Sequence, residues 1–239
     1  MKAAAPLPLN LDLVLVLDTT GSMGDELEYL KNELRSIVGA VSKQFPNVQQ
    51  RYSLVCYRDE GDEYVTRSFP FTASLTELRT NLAAQKAAGG GDYPEAMHKG
   101  LEEAVKLDWR DDHTARVLFL IADAPPHAEH ALRTFKAIGT LRKQGVALYP
   151  VACSGYDDTC EFVMRTGALL TGSEFLFLTD DSGVGDKHGE PHIPYYHVER
   201  LNHLRVRMIA SELAGRRLEA NREQIVRTVG QPLQVGANR

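Results

Sequence analysis

Apolar residues fill both parities of the stretch LDLVLVL (11–17), apart from Asp12, which predicts a first strand buried on both faces. Met23, Leu27, Leu30, Leu34, Ile37, Val38 and Val41 then recur in steps of three and four, one stripe of an amphipathic helix. RYSLVCY and EYVTRSFPFT read as two further strands, and RDEGDE between them is short enough to require an antiparallel hairpin. SLTELRTNLAAQK predicts a helix capped by Ser74, with Glu77 completing a capping-box pattern. YPEAMHKGLEEAVKL predicts the next helix, with Pro94 placed for its first turn.

ARVLFLIAD is a buried strand, followed by a helix around EHALRTFKAIGTLRKQG and the strand VALYPVA. Pro150 within that strand belongs at an end, an edge or a bulge, because proline cannot donate to the ladder. A helix over CEFVMRTGALLTG, a short strand EFLFLT and a last helix over VERLNHLRVRMIASELAGRR complete the succession. After one early hairpin, strand and helix alternate. The expected class is α/β: a doubly wound, mostly parallel open sheet in the order 3-2-1-4-5-6, strand 3 antiparallel at the edge, helices on both faces. The expected division is an N-terminal extension over 1–10, one domain over 11–218 and a polar tail over 219–239.

Composition narrows the function more than the fold. Hydrophobic residues make up 43% and charged residues 25% of the 239, close to the globular average. A net charge of −5 disfavours nucleic acid as a partner, since phosphate binding relies on clustered Lys and Arg. The group Arg205, Arg207, Arg216 and Arg217 reads as a solvated helix face. No apolar run reaches the roughly 20 residues of a membrane span. The opening MKAAAPLPLN is too short and too proline-broken for a secretory signal; an upstream one would leave secreted or cell-envelope placement open. Cys56, Cys153 and Cys160 do not form a disulfide framework, although Cys153 and Cys160 are close enough to pair around a loop.

The chemistry collects at strand ends. Asp18 follows the first strand and Asp123 follows RVLFLIA; adjacency of those strands brings both carboxylates to one crevice. Asp92, after three glycines, lies in a connection that opens on the same edge. Two carboxylates about 4 Å apart repel by roughly 4 kcal/mol at an effective dielectric near 20. A divalent cation relieves that repulsion at neutral pH, and Thr20 and Ser22 add neutral oxygens, a shell suited to Mg²⁺, Mn²⁺ or Ca²⁺. Each residue also has an ordinary reading, as a helix cap or a turn hydrogen-bonder. His188, His192 and His197 in DKHGEPHIPYYH read as part of a solvated loop rather than a zinc motif, and His127 as a hydrogen-bonding residue near the rim.

DTTGSM, GGGDYPEA and LIADAPPH, in that order on those elements, resemble the metal-ion-dependent adhesion site of the von Willebrand factor A family, over roughly residues 11–218. The resemblance implies Asp18, Thr20, Ser22, Asp92 and Asp123 as metal ligands, Mg²⁺ foremost with Mn²⁺ or Ca²⁺ as alternatives, and no catalytic residues. It implies a protein-binding module for adhesion or complex assembly, whose ion bridges to an acidic side chain of a protein partner. Two departures stand out: Thr20 replaces the commoner Ser, and Asp92 replaces the Thr of the adhesive members. A third acid tightens the ion and weakens its pull on an acidic partner. The alternative is a Mg²⁺-dependent phosphohydrolase or phosphotransferase with Asp18 as nucleophile, although GGGDYPEA has no task in that scheme. A dinucleotide binder is disfavoured by the absence of G-x-G-x-x-G after the first strand.

Overall fold

Alternate side chains of the central strands enter two separate cores, which fixes a sheet covered on both faces. In β1 (Asn10–Asp18), Leu11, Leu13, Leu15 and Leu17 pack on one side, and Val14 and Val16 on the other. In β4 (Thr114–Ala122), Val117, Phe119 and Ile121 join the first core; Leu118, Leu120 and Ala122 join the second. The structure is a computed structural model that describes residues 6–182, 188 and 190–231.

The first core is closed by α1 (Gly24–Gln44), α2 (Leu75–Ala83) and α6 (Leu201–Ala214). The second is closed by α3 (Met97–Val105), α4 (Ala131–Lys143) and α5 (Asp158–Thr171). The apolar stripe read from the sequence of α1 is buried along its length, Met23 included. Ser74 caps α2 by accepting from the Glu77 amide at 3.2 Å, while Glu77 turns its carboxylate to the Thr72 hydroxyl. Half of the capping box therefore forms.

With β2 (Gln49–Tyr57), β3 (Thr66–Thr72), β5 (Val146–Ala152) and β6 (Leu176–Phe177), the sheet runs β3-β2-β1-β4-β5-β6, with β3 antiparallel, as expected. β6 pairs only with Val151 and Ala152, so Pro150 lies where β5 has no outer partner strand. β1 and β4 are parallel neighbours, and their carboxyl ends open at the point where the chain order reverses.

Several local expectations are corrected. α3 begins at Met97, so Pro94 precedes the helix instead of opening it, and Glu95 is held in a bridge to Pro126. Val198 and Glu199 belong to β7 (Tyr195–Glu199) rather than to the last helix. β7 pairs with β8 (Ile225–Gly230), a strand inside the segment expected as a polar tail. His197 lies on β7, His192 is exposed, and His188 turns inward to the Ser154 hydroxyl at 3.0 Å; Asp186, Lys187 and Gly189 lie outside the described residues. Arg205 is not solvated: it is 3% exposed, and its Nε and Nη1 have no hydrogen-bond partner. All three cysteines are buried and free. No helix among the described residues is long and apolar enough to cross a membrane.

Candidate metal-binding site

Asp18 ends β1 with its carboxylate 1% exposed. Its Oδ1 accepts from the Thr20 amide at 2.9 Å and the Thr20 hydroxyl at 2.6 Å; its Oδ2 has no partner. Asp123, just past β4, is buried and its Oδ1 is equally unpartnered. Ser22 sits at the exposed rim and hydrogen-bonds Asp123. Thr20, Ser22, Asp92 and Asp123 line one crevice of about 480 Å³. Asp18 does not line the crevice but is buried beside Asp123, whose charge it feels, because β1 and β4 are adjacent.

The glycines act through backbone packing. Gly21 donates to the Gly89 carbonyl at 3.1 Å, tying the first motif loop to the second. Gly89 and Gly90 have φ of 81° and 76°. Any side chain at these angles would be strained, so glycine is what lets this loop lie over the acids. Asp62 secures it by accepting from the Gly90 amide at 3.0 Å.

Asp92 lies differently from the two buried aspartates. It is exposed on the crevice wall, and its carboxylate is grouped within 4.8 Å of ligand atoms of Asp59 and His127. His127 Nε2 is hydrogen-bonded to Asp59 Oδ1 at 2.7 Å, the role expected of it. Burial lowers the affinity of His127 for its proton, but the bond and charge of Asp59 outweigh this and raise its pKa.

Glu95 is the residue that sequence reasoning missed. It is 4% exposed, lines the crevice and leaves Oε2 unpartnered. Its amide donates to the Pro125 carbonyl at 2.9 Å, docking this segment beside the loop after β4. Reading YPEA as the first turn of a helix hid it; the only available signal was a second acid three residues after Asp92.

The electrostatics follow from this crowding. Burial, then the charge of Asp123, raises Asp18 to about 7, opposed by the hydrogen bonds from Thr20 and by the nearby Tyr57 hydroxyl, which does not reach bonding geometry with Oδ2. Burial, then Asp18, Asp59, Asp62 and Asp123, raises Glu95 to about 9. Asp123 is raised by burial, with Ser22 opposing. Among the described residues no Lys, Arg or His forms an ion pair with Asp18, Glu95 or Asp123. Arg58, the nearby buried cation, instead donates to the carbonyls of Thr19 and Lys86 at 3.1 and 2.8 Å. Three orphaned carboxylate oxygens with two hydroxyls form an all-oxygen donor set, which suits a hard divalent ion.

Comparison with known proteins agrees with this topology. The model of the von Willebrand factor A domain matches residues 12–152. An ariadne-like RING finger protein named from Acanthamoeba polyphaga mimivirus is 29% identical over 70% of this chain, which covers 18% of that protein. The α-protein kinase vwkA of Dictyostelium discoideum is 29% identical over 48% of the chain and 19% of its own length. The von Willebrand factor A domain-containing protein 7 of Rattus norvegicus is 38% identical over 48% of the chain and 12% of its own length. The chain thus spans less than a fifth of each of these relatives. Among solved structures, BatB from Bacteroides thetaiotaomicron superposes with a TM-score of 0.54 at 12% identity, covering 71% of this chain and 90% of that one. The pilus adhesin SpaC from Lactobacillus rhamnosus GG, in an open conformation, gives 0.54 at 11%, covering 73% and 28%. At such identities the likeness is one of fold.

Proposed function

The chain belongs to the von Willebrand factor A domain family, and from that premise we propose that it is a divalent-metal-dependent protein-binding module. Asp18, Asp123 and Asp92 would supply carboxylate oxygens to the ion, and Thr20 and Ser22 hydroxyl oxygens. We add Glu95 to this set. The observation that carries the reading is the trio of buried carboxylate oxygens with no partner: Asp18 Oδ2, Glu95 Oε2 and Asp123 Oδ1. Leaving such groups unpaired costs folding free energy, which is the signature of a site that another group completes.

The bound ion, Mg²⁺ foremost, would supply an open coordination position for a carboxylate of a protein partner. Around it, Tyr93 fixes the rim by donating to the carbonyls of Asp123 and Gly155, both at 3.2 Å, and it remains partly exposed for contact. Asp92 beside His127 and Asp59 is poised to share its charge with the imidazole, which would restore some of the ion's pull on an acidic partner. The binding unit so proposed is residues 11–218, with β8 (Ile225–Gly230) tied to it by pairing with β7. The competing phosphohydrolase reading needs Asp18 as an open nucleophile, whereas its carboxylate is buried and its Oδ1 already accepts two hydrogen bonds. We therefore assign no catalytic residues.

Selection of a displayed random-peptide library on the immobilised domain tests this. Peptides recovered in Mg²⁺ should be enriched in Asp and Glu and be released by EDTA, and Asp18→Asn should recover none of them. Selection indifferent to EDTA and to Asp18→Asn would overturn the mechanism.

A further inference from the structure

Beside the acidic crevice lies a second group of ligand-bearing side chains with different chemistry. Glu60 in the β2–β3 connection, His98 on α3 and His130 just before α4 each offer a ligand atom, all within 4.8 Å of one another. His98 is fully buried, and neither of its ring nitrogens has a hydrogen-bond partner. Its ring centroid lies 4.1 Å from that of His130. Ring contact satisfies no nitrogen, so the burial of two bare imidazole nitrogens remains unexplained by packing.

We propose that Glu60, His98 and His130 form a second metal site, selective for Zn²⁺ or a similar borderline ion and distinct from the all-oxygen crevice. Two imidazoles and one carboxylate are a recurrent zinc set, with a fourth position left for water or a partner group. Metal–ligand bonds of about 2.0–2.1 Å in a tetrahedron place ligand atoms about 3.4 Å apart, so a small closure of the group suffices. Glu60 is exposed, while His98 is buried in the core. Arg133 does not compete, because it is held by Glu102 through bonds of 2.9 and 2.8 Å.

The role follows from placement. Glu60 adjoins Asp59, and His130 lies three residues beyond His127, so the ion would staple the connection that carries the Asp59–His127 bond to the body of α3. That would brace the rim of the crevice without joining its ligand set.

The test is Zn²⁺ retention by the full chain after dialysis in excess Mg²⁺, with Co²⁺ as a spectroscopic probe of geometry. The expected result is one Zn²⁺ per chain and visible Co²⁺ bands of a tetrahedral site. Glu60→Gln and His130→Ala alter residues outside the fully buried core, so both should fold. Each should weaken Zn²⁺ by about 100-fold or more, at or above the usual cost of losing a mere outer-shell partner. Asp18→Asn should retain Zn²⁺ in full, which separates this site from the crevice. No retained Zn²⁺, unchanged affinity in both variants, or loss of Zn²⁺ in Asp18→Asn would each overturn the proposal.

Discussion

Replacing Asp18 by Asn should make the metal-free protein more stable while removing its response to metal. In the metal-free chain the Asp18 carboxyl has its pKa raised from 3.8 to about 7, chiefly by burial and then by Asp123. At 1.36 kcal/mol per unit, the ionised form costs about 4 kcal/mol above that pKa. Asn keeps an oxygen for the Thr20 amide and hydroxyl, and sets an amide nitrogen where the orphaned Oδ2 stood. Burial of that amide costs about 1–3 kcal/mol unless a neighbouring carboxylate accepts from it. The net gain is about 1–3 kcal/mol, or roughly 2–10 °C in a domain of this size.

The pH dependence carries a definite sign. The folded protein binds more protons than the unfolded chain between the two pKa values of Asp18, so its stability falls as pH rises through that window. The decline runs from 3.8 to about 7 for Asp18 and continues to about 9 for Glu95. Thermal unfolding in EDTA should therefore show Asp18→Asn ahead of wild type at about pH 8, with less than half that advantage at about pH 5. A variant that melts below wild type at the higher pH, or leads by the same margin at both, would refute the reasoning.

Two further outcomes probe the scaffold. Asp12 is fully buried and accepts from Arg51 at 2.8 and 3.0 Å and from the Arg110 amide and Nε at 2.8 Å each. Burial raises its pKa, but these partners outweigh that and leave it below the ordinary range. Asp12→Ala removes the carboxylate that two arginines share and should cost about 3 kcal/mol by urea unfolding; a loss under 1 kcal/mol would show that solvent and their remaining acceptors replace it. Arg205, buried with two unpartnered nitrogens and lowered to about 10 by burial, lies opposite Tyr29 and Glu33. Arg205→Met should stabilise by about 1–4 kcal/mol, and a lower melting temperature would show that the guanidinium has a partner worth keeping.

The fold was legible because two periodicities differ so plainly. Leu11–Leu17 is apolar on both parities, whereas the stripe from Met23 to Val41 keeps helical steps. The hairpin at RDEGDE and the alternation after it pointed to an open, mostly parallel sheet; the order 3-2-1-4-5-6, assumed for such a sheet, made β1 and β4 neighbours and placed Asp18 beside Asp123. Glu95 was illegible because Pro94 favours both a helix start and an extended connection, and only the bridge to Pro126 selects the second. β8 was missed because its residues alternate in and out over a mere six positions, with no core strand beside them. The arginines of α6 looked alike in sequence; only the packing of α6 against α1 and the sheet decides that Arg205 is buried.

Thermal unfolding of the full chain in EDTA, then with Mg²⁺, Mn²⁺ and Ca²⁺ added back, tests most directly whether Asp18, Glu95 and Asp123 hold an ion. At about 100 times the dissociation constant the gain should be about 2.7 kcal/mol. That corresponds to a rise of roughly 5–10 °C in wild type, abolished in both Asp18→Asn and Asp123→Asn. No rise with any of the three ions, or an equal rise in both variants, would contradict the account.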